Sequence, residues 1–116
     1  MLFKLFQVKD VENTDFAFMP YRWGKEYDFN GLYECTYTGY INTMFDLEIT
    51  DTLERIFQYG NVGKFPNYNT RSVSVSDIIV LGTNPFRAYY VEDFGFTEVP
   101  RKNLSYNDIE NWWDEN

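Results

Sequence analysis

The sequence predicts an α+β fold: a curved, mostly antiparallel sheet of four or five strands, one main helix on a face, and a short C-terminal helix. Several short stretches alternate apolar and polar residues and are rich in Val, Ile, Tyr and Phe, as strands require. One stretch, from Asp51, combines helix-start chemistry with apolar residues at helical spacing. The length, 116 residues, is that of a single domain, and 21% aromatic residues suffice to fill its core.

Taken in order, Leu2 to Val8 alternates, carries Phe3, Leu5 and Phe6, and reads as the first strand. Asn13 to Asp15 is turn chemistry, and the apolar Phe16-Ala17-Phe18-Met19 ends at Pro20. Tyr21 to Tyr27 has the makings of one or two helical turns. After the Asn30-Gly31 turn, alternation sends Tyr33, Cys35 and Tyr37 one way and Glu34, Thr36 and Thr38 the other, the pattern of a half-buried strand. Asp51 with Glu54 three residues on has capping-box spacing; Leu53, Ile56 and Phe57 share a face, and Gly60 is the expected stop. Residues 61–70 read as a loop, and Arg71 to Leu81 as a strand broken by a turn at Asp77. Phe86 to Glu92 and Gly95 to Val99 complete the sheet. Ser105 with Asp108, then Tyr106, Ile109, Trp112 and Trp113, repeats the helix-start pattern. The division is a single α+β domain over residues 1–102 and an acidic, aromatic C-terminal helix or arm over 103–116.

Composition excludes several chemistries. There is no histidine, the commonest general base and metal ligand, and the single cysteine, Cys35, has no partner for an internal disulfide. No run approaches the ~20 apolar residues of a membrane span, and the N-terminus lacks a signal-peptide core, so a cytoplasmic protein without membrane contact is expected. With 18 acidic and 10 basic residues the formal charge is −8, which disfavours direct contact with nucleic acid.

Two C-terminal motifs carry a family resemblance. Arg71-Ser72-Val73-Ser74-Val75-Ser76-Asp77-Ile78-Ile79-Val80-Leu81 resembles the S-L-S-V-S-D-V-V-V-L core of YodL-like domains. Ala88-Tyr89-Tyr90-Val91-Glu92-Asp93-Phe94-Gly95-Phe96-Thr97-Glu98-Val99-Pro100 is similar to that family's A-Y-Y-V-D-S-F-G-F-x-E-V-P end. Phe18-Met19, Leu53 to Asn61 and Phe65-Pro66-Asn67-Tyr68 match further elements, Phe65 standing where the family often has His. The resemblance implies cargo of a mobile genetic element (a conjugative element, plasmid or phage-related island), acting in a host bacterial cell. It implies no established chemistry.

Each candidate constellation has a plain alternative. The ladder Ser72, Ser74, Ser76 followed by Asp77 could seed a hydrolase, but with no base in frame it reads as one face of a strand with a turn cap. Asp46 with Glu48, Asp51 with Glu54, and Glu92 with Asp93 lack metal-loop spacing, so no metal, cofactor or catalytic residue is expected. Phe94-Gly95-Phe96, flanked by acids, reads as core packing with Gly95 permitting a bend. Charge is arranged in blocks. Glu26 to Glu54 holds seven carboxylates and no cation, Asn103 to Asn116 four more, whereas Arg55 to Arg87 holds four basic residues and one acid. The expectation is a non-enzymatic anti-defence inhibitor that occupies the nucleic-acid site of a host CRISPR effector or restriction complex. Glu34, Asp46, Glu48, Asp51 and Glu54 would stand in for phosphates, and Tyr33, Tyr37 or Tyr40 would anchor if exposed; Trp112 and Trp113 either dock the tail on the domain's own core or make it an aromatic arm for a partner groove or a homodimer. The alternative is a structural or regulatory protein–protein module of a conjugative element, working through the tail or a sheet edge; a homo-oligomer is left open.

Overall fold

A computed structural model describes residues 1–24, 29, 31–42, 48–83 and 86–100. The expected C-terminal helix, with Trp112 and Trp113, and Asp46 lie outside the described residues. Five strands form one antiparallel sheet: β1 (Leu2–Val8), β2 (Tyr33–Tyr40), β3 (Ile78–Leu81), β4 (Arg87–Val91) and β5 (Phe96–Val99), in the order β2-β1-β3-β4-β5. A 3-10 turn (Val11–Asn13) and a short helix α1 (Tyr21–Gly24) precede β2; the main helix α2 (Ile49–Val62) lies between β2 and β3. The α+β class, the five strands and the single main helix agree with the sequence reading.

The sheet is covered on both faces, which explains why β1 and β3 read as near-continuous apolar runs. One face packs Phe6, Val8, Ile78, Val80, Ala88 and Tyr90 against Phe16, Phe29 and Tyr33. The other packs Phe3, Leu5, Ile79, Leu81, Tyr89 and Val91 against Leu53 and Ile56 of α2 and against Phe65 and Val73. Aromatic rings knit each layer at centroid separations that favour tilted and edge contacts: Phe16–Phe29 5.5 Å, Phe29–Tyr33 5.4 Å, Phe3–Phe65 5.1 Å, Tyr37–Tyr68 5.1 Å. Phe65 is at the centre of the second layer, touching Phe3, Tyr37, Tyr59 and Tyr68.

Local patterning misjudged four places. Tyr37 does not share a face with Tyr33 and Cys35. The β1–β2 register shifts between Leu5 and Phe6, so Leu5 pairs with Tyr37 and Phe6 with Cys35. The extra residue, Thr36, is a bulge that reverses the alternation and sends Tyr37 to the α2 side. Helix α2 begins earlier than Asp51: Glu48 is its N-cap residue, with no side-chain cap, and Asp51 lies in the first turn. The helix also runs past Gly60 to Val62, where Gly63 at φ 69° takes the left-handed conformation and Lys64 N–H reaches back to Tyr59 O at 3.1 Å. Finally, Arg71 to Asp77 is not strand. It is an irregular segment that places Val73 against α2 before a turn at Ser76 (φ 80°) leads into β3.

Gly60 is therefore a packing glycine. A Cβ added there would collide with Val73 Cγ2, a branched side chain with little rotameric freedom. Gly60→Ala gains helix propensity worth about 1 kcal/mol but overpacks the contact, and a net loss of roughly 1–2 kcal/mol in stability is expected. Urea unfolding checks this. Adding Val73→Ala relieves the clash, so the double variant loses less than the sum of the two single losses.

Candidate functional site

The motif residues converge on a buried polar centre at the β3 entrance. Asp77 has no exposure to solvent. Its Oδ2 accepts from Gln7 Nε2 on β1 at 3.0 Å and from the Ser74 N–H at 2.8 Å, while the Arg71 guanidinium stands 3.7 Å from Oδ1. Ser76, also buried, accepts from the Phe18 N–H through Oγ at 2.9 Å and from the Tyr33 hydroxyl through its carbonyl at 2.6 Å. The Tyr90 hydroxyl donates to Met19 O at 2.6 Å. The serine ladder is thus divided by environment: Ser72 exposed, Ser74 half-buried, Ser76 buried and bonded to the backbone of another segment. These groups hold segments together, and among the described residues Ser76 and Asp77 do not line the surface cavities beside α2 and the β4–β5 turn.

What this centre positions is a pair of surface features. Phe18 is held at φ 64°, an uncommon conformation for an aromatic residue, with its ring 5.8 Å from the Arg71 guanidinium. Phe18 and Met19 remain substantially exposed. Beside them, the β4–β5 turn is clamped by Glu92, whose carboxylate accepts from the Tyr21 N–H at 2.8 Å and the Thr97 hydroxyl at 2.5 Å and whose N–H donates to Gly95 O at 3.1 Å. Gly95, at φ 82°, completes the turn. Phe94 consequently sits outside the ladder and is 97% exposed, contrary to its reading as a core residue; Phe96, the next position in register, takes the inward place. A cavity of about 300 Å³ opens beneath Phe94, lined by Glu54 and Phe57 of α2 and by Val91 to Phe96. A second concavity shares Glu92, Asp93 and Phe94 with the first and is completed by Pro20 and Arg22.

The structure sorts the sequence-predicted residues. Glu48, Asp51 and Glu54 follow one another at three-residue intervals on α2, a rise of ~4.5 Å per step, and all three are exposed. Glu54 continues this row to Asp93 and Glu92 across the cavity. Glu34 is not part of it. It is exposed on edge strand β2 opposite Gln7, three to four strand spacings from the β4–β5 turn, or roughly 15–20 Å. Among the proposed anchors Tyr33 is buried, Tyr37 is half-buried with its hydroxyl on Pro66 O at 2.8 Å, and Tyr40 is 74% exposed. Glu92, Asp93 and Phe94 are the members sequence reasoning missed; their signal was the acidic pair preceding Phe-Gly, which resembles a turn. Among the described residues there is no group of three or more His, Cys, Asp or Glu able to hold a metal, and no helix is long and apolar enough to cross a membrane.

The family model of the YodL-like domain matches residues 2–101. No curated protein matches the sequence, and no solved structure does.

Burial raises the Asp77 carboxyl to about 6 from its ordinary 3.8, against the lowering influence of Gln7, the Ser74 N–H and Arg71. The folded state therefore binds this proton more tightly than the unfolded chain. Its contribution favours folding below pH 4 and is lost as pH rises through 6, a change on the order of 3 kcal/mol for a shift of about two units. Asp77→Asn removes that slope. The stability difference between variant and parent should change between pH 4 and 6.5 and be flat above, as read by urea unfolding at each pH.

Proposed function

The chain belongs to the YodL-like domain family, and from that premise we propose that it is a non-catalytic inhibitor that seats its acidic, aromatic face in the cationic cleft of a nucleic-acid-handling protein. The observation that carries the reading is the fully exposed Phe94 on a clamped turn, above a cavity lined by the carboxylates of Glu54, Glu92 and Asp93. Leaving a phenylalanine in water forgoes about 2 kcal/mol of burial, an unfavourable arrangement unless a partner covers the ring. Glu48, Asp51, Glu54 and Asp93 supply the charge that a phosphate backbone would otherwise bring, and Phe94 with Met19 supplies the apolar anchor that a backbone lacks. Complementary charge speeds the encounter and makes it sensitive to salt. The mobile-element context implied by the motifs supports a host restriction or CRISPR nuclease as the target class.

Expression of the chain in bacteria carrying an active restriction or CRISPR system should raise plasmid transformation efficiency. Asp51→Asn/Glu54→Gln/Asp93→Asn and Phe94→Ala should each abolish that gain while leaving thermal stability within ~0.5 kcal/mol, as for surface substitutions. No gain with any such system, or equal gains from all variants, would sink the proposal.

A further inference from the structure

We propose that the cavity on the other flank of α2 binds a small phosphate monoester carrying a flat ring, of the mononucleotide class. The helix separates two chemistries. Glu54 and Phe57 face the β4–β5 turn, whereas Arg55 and Tyr59, one turn apart, face the end of β2. There a cavity of about 340 Å³, within the range of small-ligand sites, is lined by Tyr40, Asn42, Arg55, Tyr59, Lys64 and Phe65 among others.

Two cations enter this cavity, and neither makes an ion pair among the described residues. Arg55 is oriented by a hydrogen bond from Nη1 to Asn42 O at 2.9 Å, which leaves the remaining guanidinium N–H groups for an anion. Lys64 follows the left-handed Gly63 that ends the helix, and its Nζ stands 5.6 Å from the Tyr59 ring centroid. Two donors on one cavity suit a phosphate, Arg by its fork and Lys as a point charge. One wall suits a ring: Tyr40 is 74% exposed.

Size follows from charge. A long polyanion leaving this cavity would meet a protein of net charge −8, with Asp51 one turn ahead of Arg55 on the same helix and Glu48, its N-cap, two turns ahead. A single phosphate on a nucleoside engages the local cations and avoids that repulsion. The inference stands apart from the inhibitor reading, because its residues lie on the opposite flank of α2 and a different measurement reads it.

The test is calorimetric titration of the intact chain at low salt with adenosine 5′-monophosphate, adenosine, inorganic phosphate and a 5′-phosphorylated ten-nucleotide DNA. The monophosphate should bind at least about tenfold more tightly than adenosine, the worth of a charge-assisted hydrogen bond. Arg55→Gln/Lys64→Gln should remove that advantage, and Lys64→Gln, which leaves the Arg55–Asn42 bond intact, should weaken it several-fold. Tyr40→Ala should bring the monophosphate down to the level of inorganic phosphate. Equal binding of adenosine and its monophosphate, or binding unaffected in both cation variants, overturns the site. Tighter binding of the oligonucleotide through the same cations overturns the small-ligand assignment.

Discussion

A carboxylate removed from water stays in a folded protein only when protein groups replace its hydration, and at Asp77 those groups come from separate parts of the chain. Gln7 reaches it from strand β1, the Ser74 amide from the irregular segment ahead of β3, and Arg71 from further upstream in that segment. Gln7 is in turn tied to Thr70 Oγ1 at 2.9 Å and to the carbonyls of Arg71 and Ser72 at 3.3 Å. The adjoining Ser76 adds the Phe18 loop, the start of β2 through Tyr33, and the end of β4 through Val91 O. One polar centre thus locates the pieces that the two aromatic layers alone would leave free to slide, because ring packing is only weakly directional and hydrogen bonding to a buried charge is not.

That centre sets the surface as well as the interior. With Ser76 and Tyr90 holding the backbone of Phe18 and Met19, and Glu92 holding the β4–β5 turn, three exposed apolar side chains are presented by backbone with little freedom to move. A contact surface ordered before a partner arrives gives up less entropy on association. The two C-terminal motifs of this chain follow the same geography: Ser76 and Asp77 of one anchor the loop, and Glu92 and Gly95 of the other build the turn.

Helix α2 divides the remaining surface. Its buried stripe, Leu53, Ile56 and Gly60, leaves an outer face on which Glu54 lies toward the β4–β5 turn and Arg55 and Tyr59 lie toward β2. A net charge of −8 conceals this partition, since two opposite chemistries sit within one helix diameter, ~10 Å, of each other. The Arg87–Glu98 pair, 2.7 Å apart on β4 and β5, is a separate exposed contact that lowers the Glu98 carboxyl below its usual range.

The sequence by itself determined the α+β class, the ranges of β1 and β4 to within a residue or two, the existence of α2, and the lack of histidine and disulfide chemistry, because these follow from local periodicity and residue type. Only the tertiary structure decided which way Tyr37 points, since one bulge residue opposite β1 reverses every face beyond it. Likewise Gly60 signals a helix end locally, but close approach to Val73, distant in sequence, makes it a packing position. The grouping of charge was equally out of reach. Glu34 and Glu54 belong to one acidic block along the chain, yet the sheet order puts β2 and the β4–β5 turn at opposite edges and brings Glu92 and Asp93 to Glu54 instead. Contacts between distant segments come from packing and hydrogen bonding across the fold, which no spacing along the chain encodes.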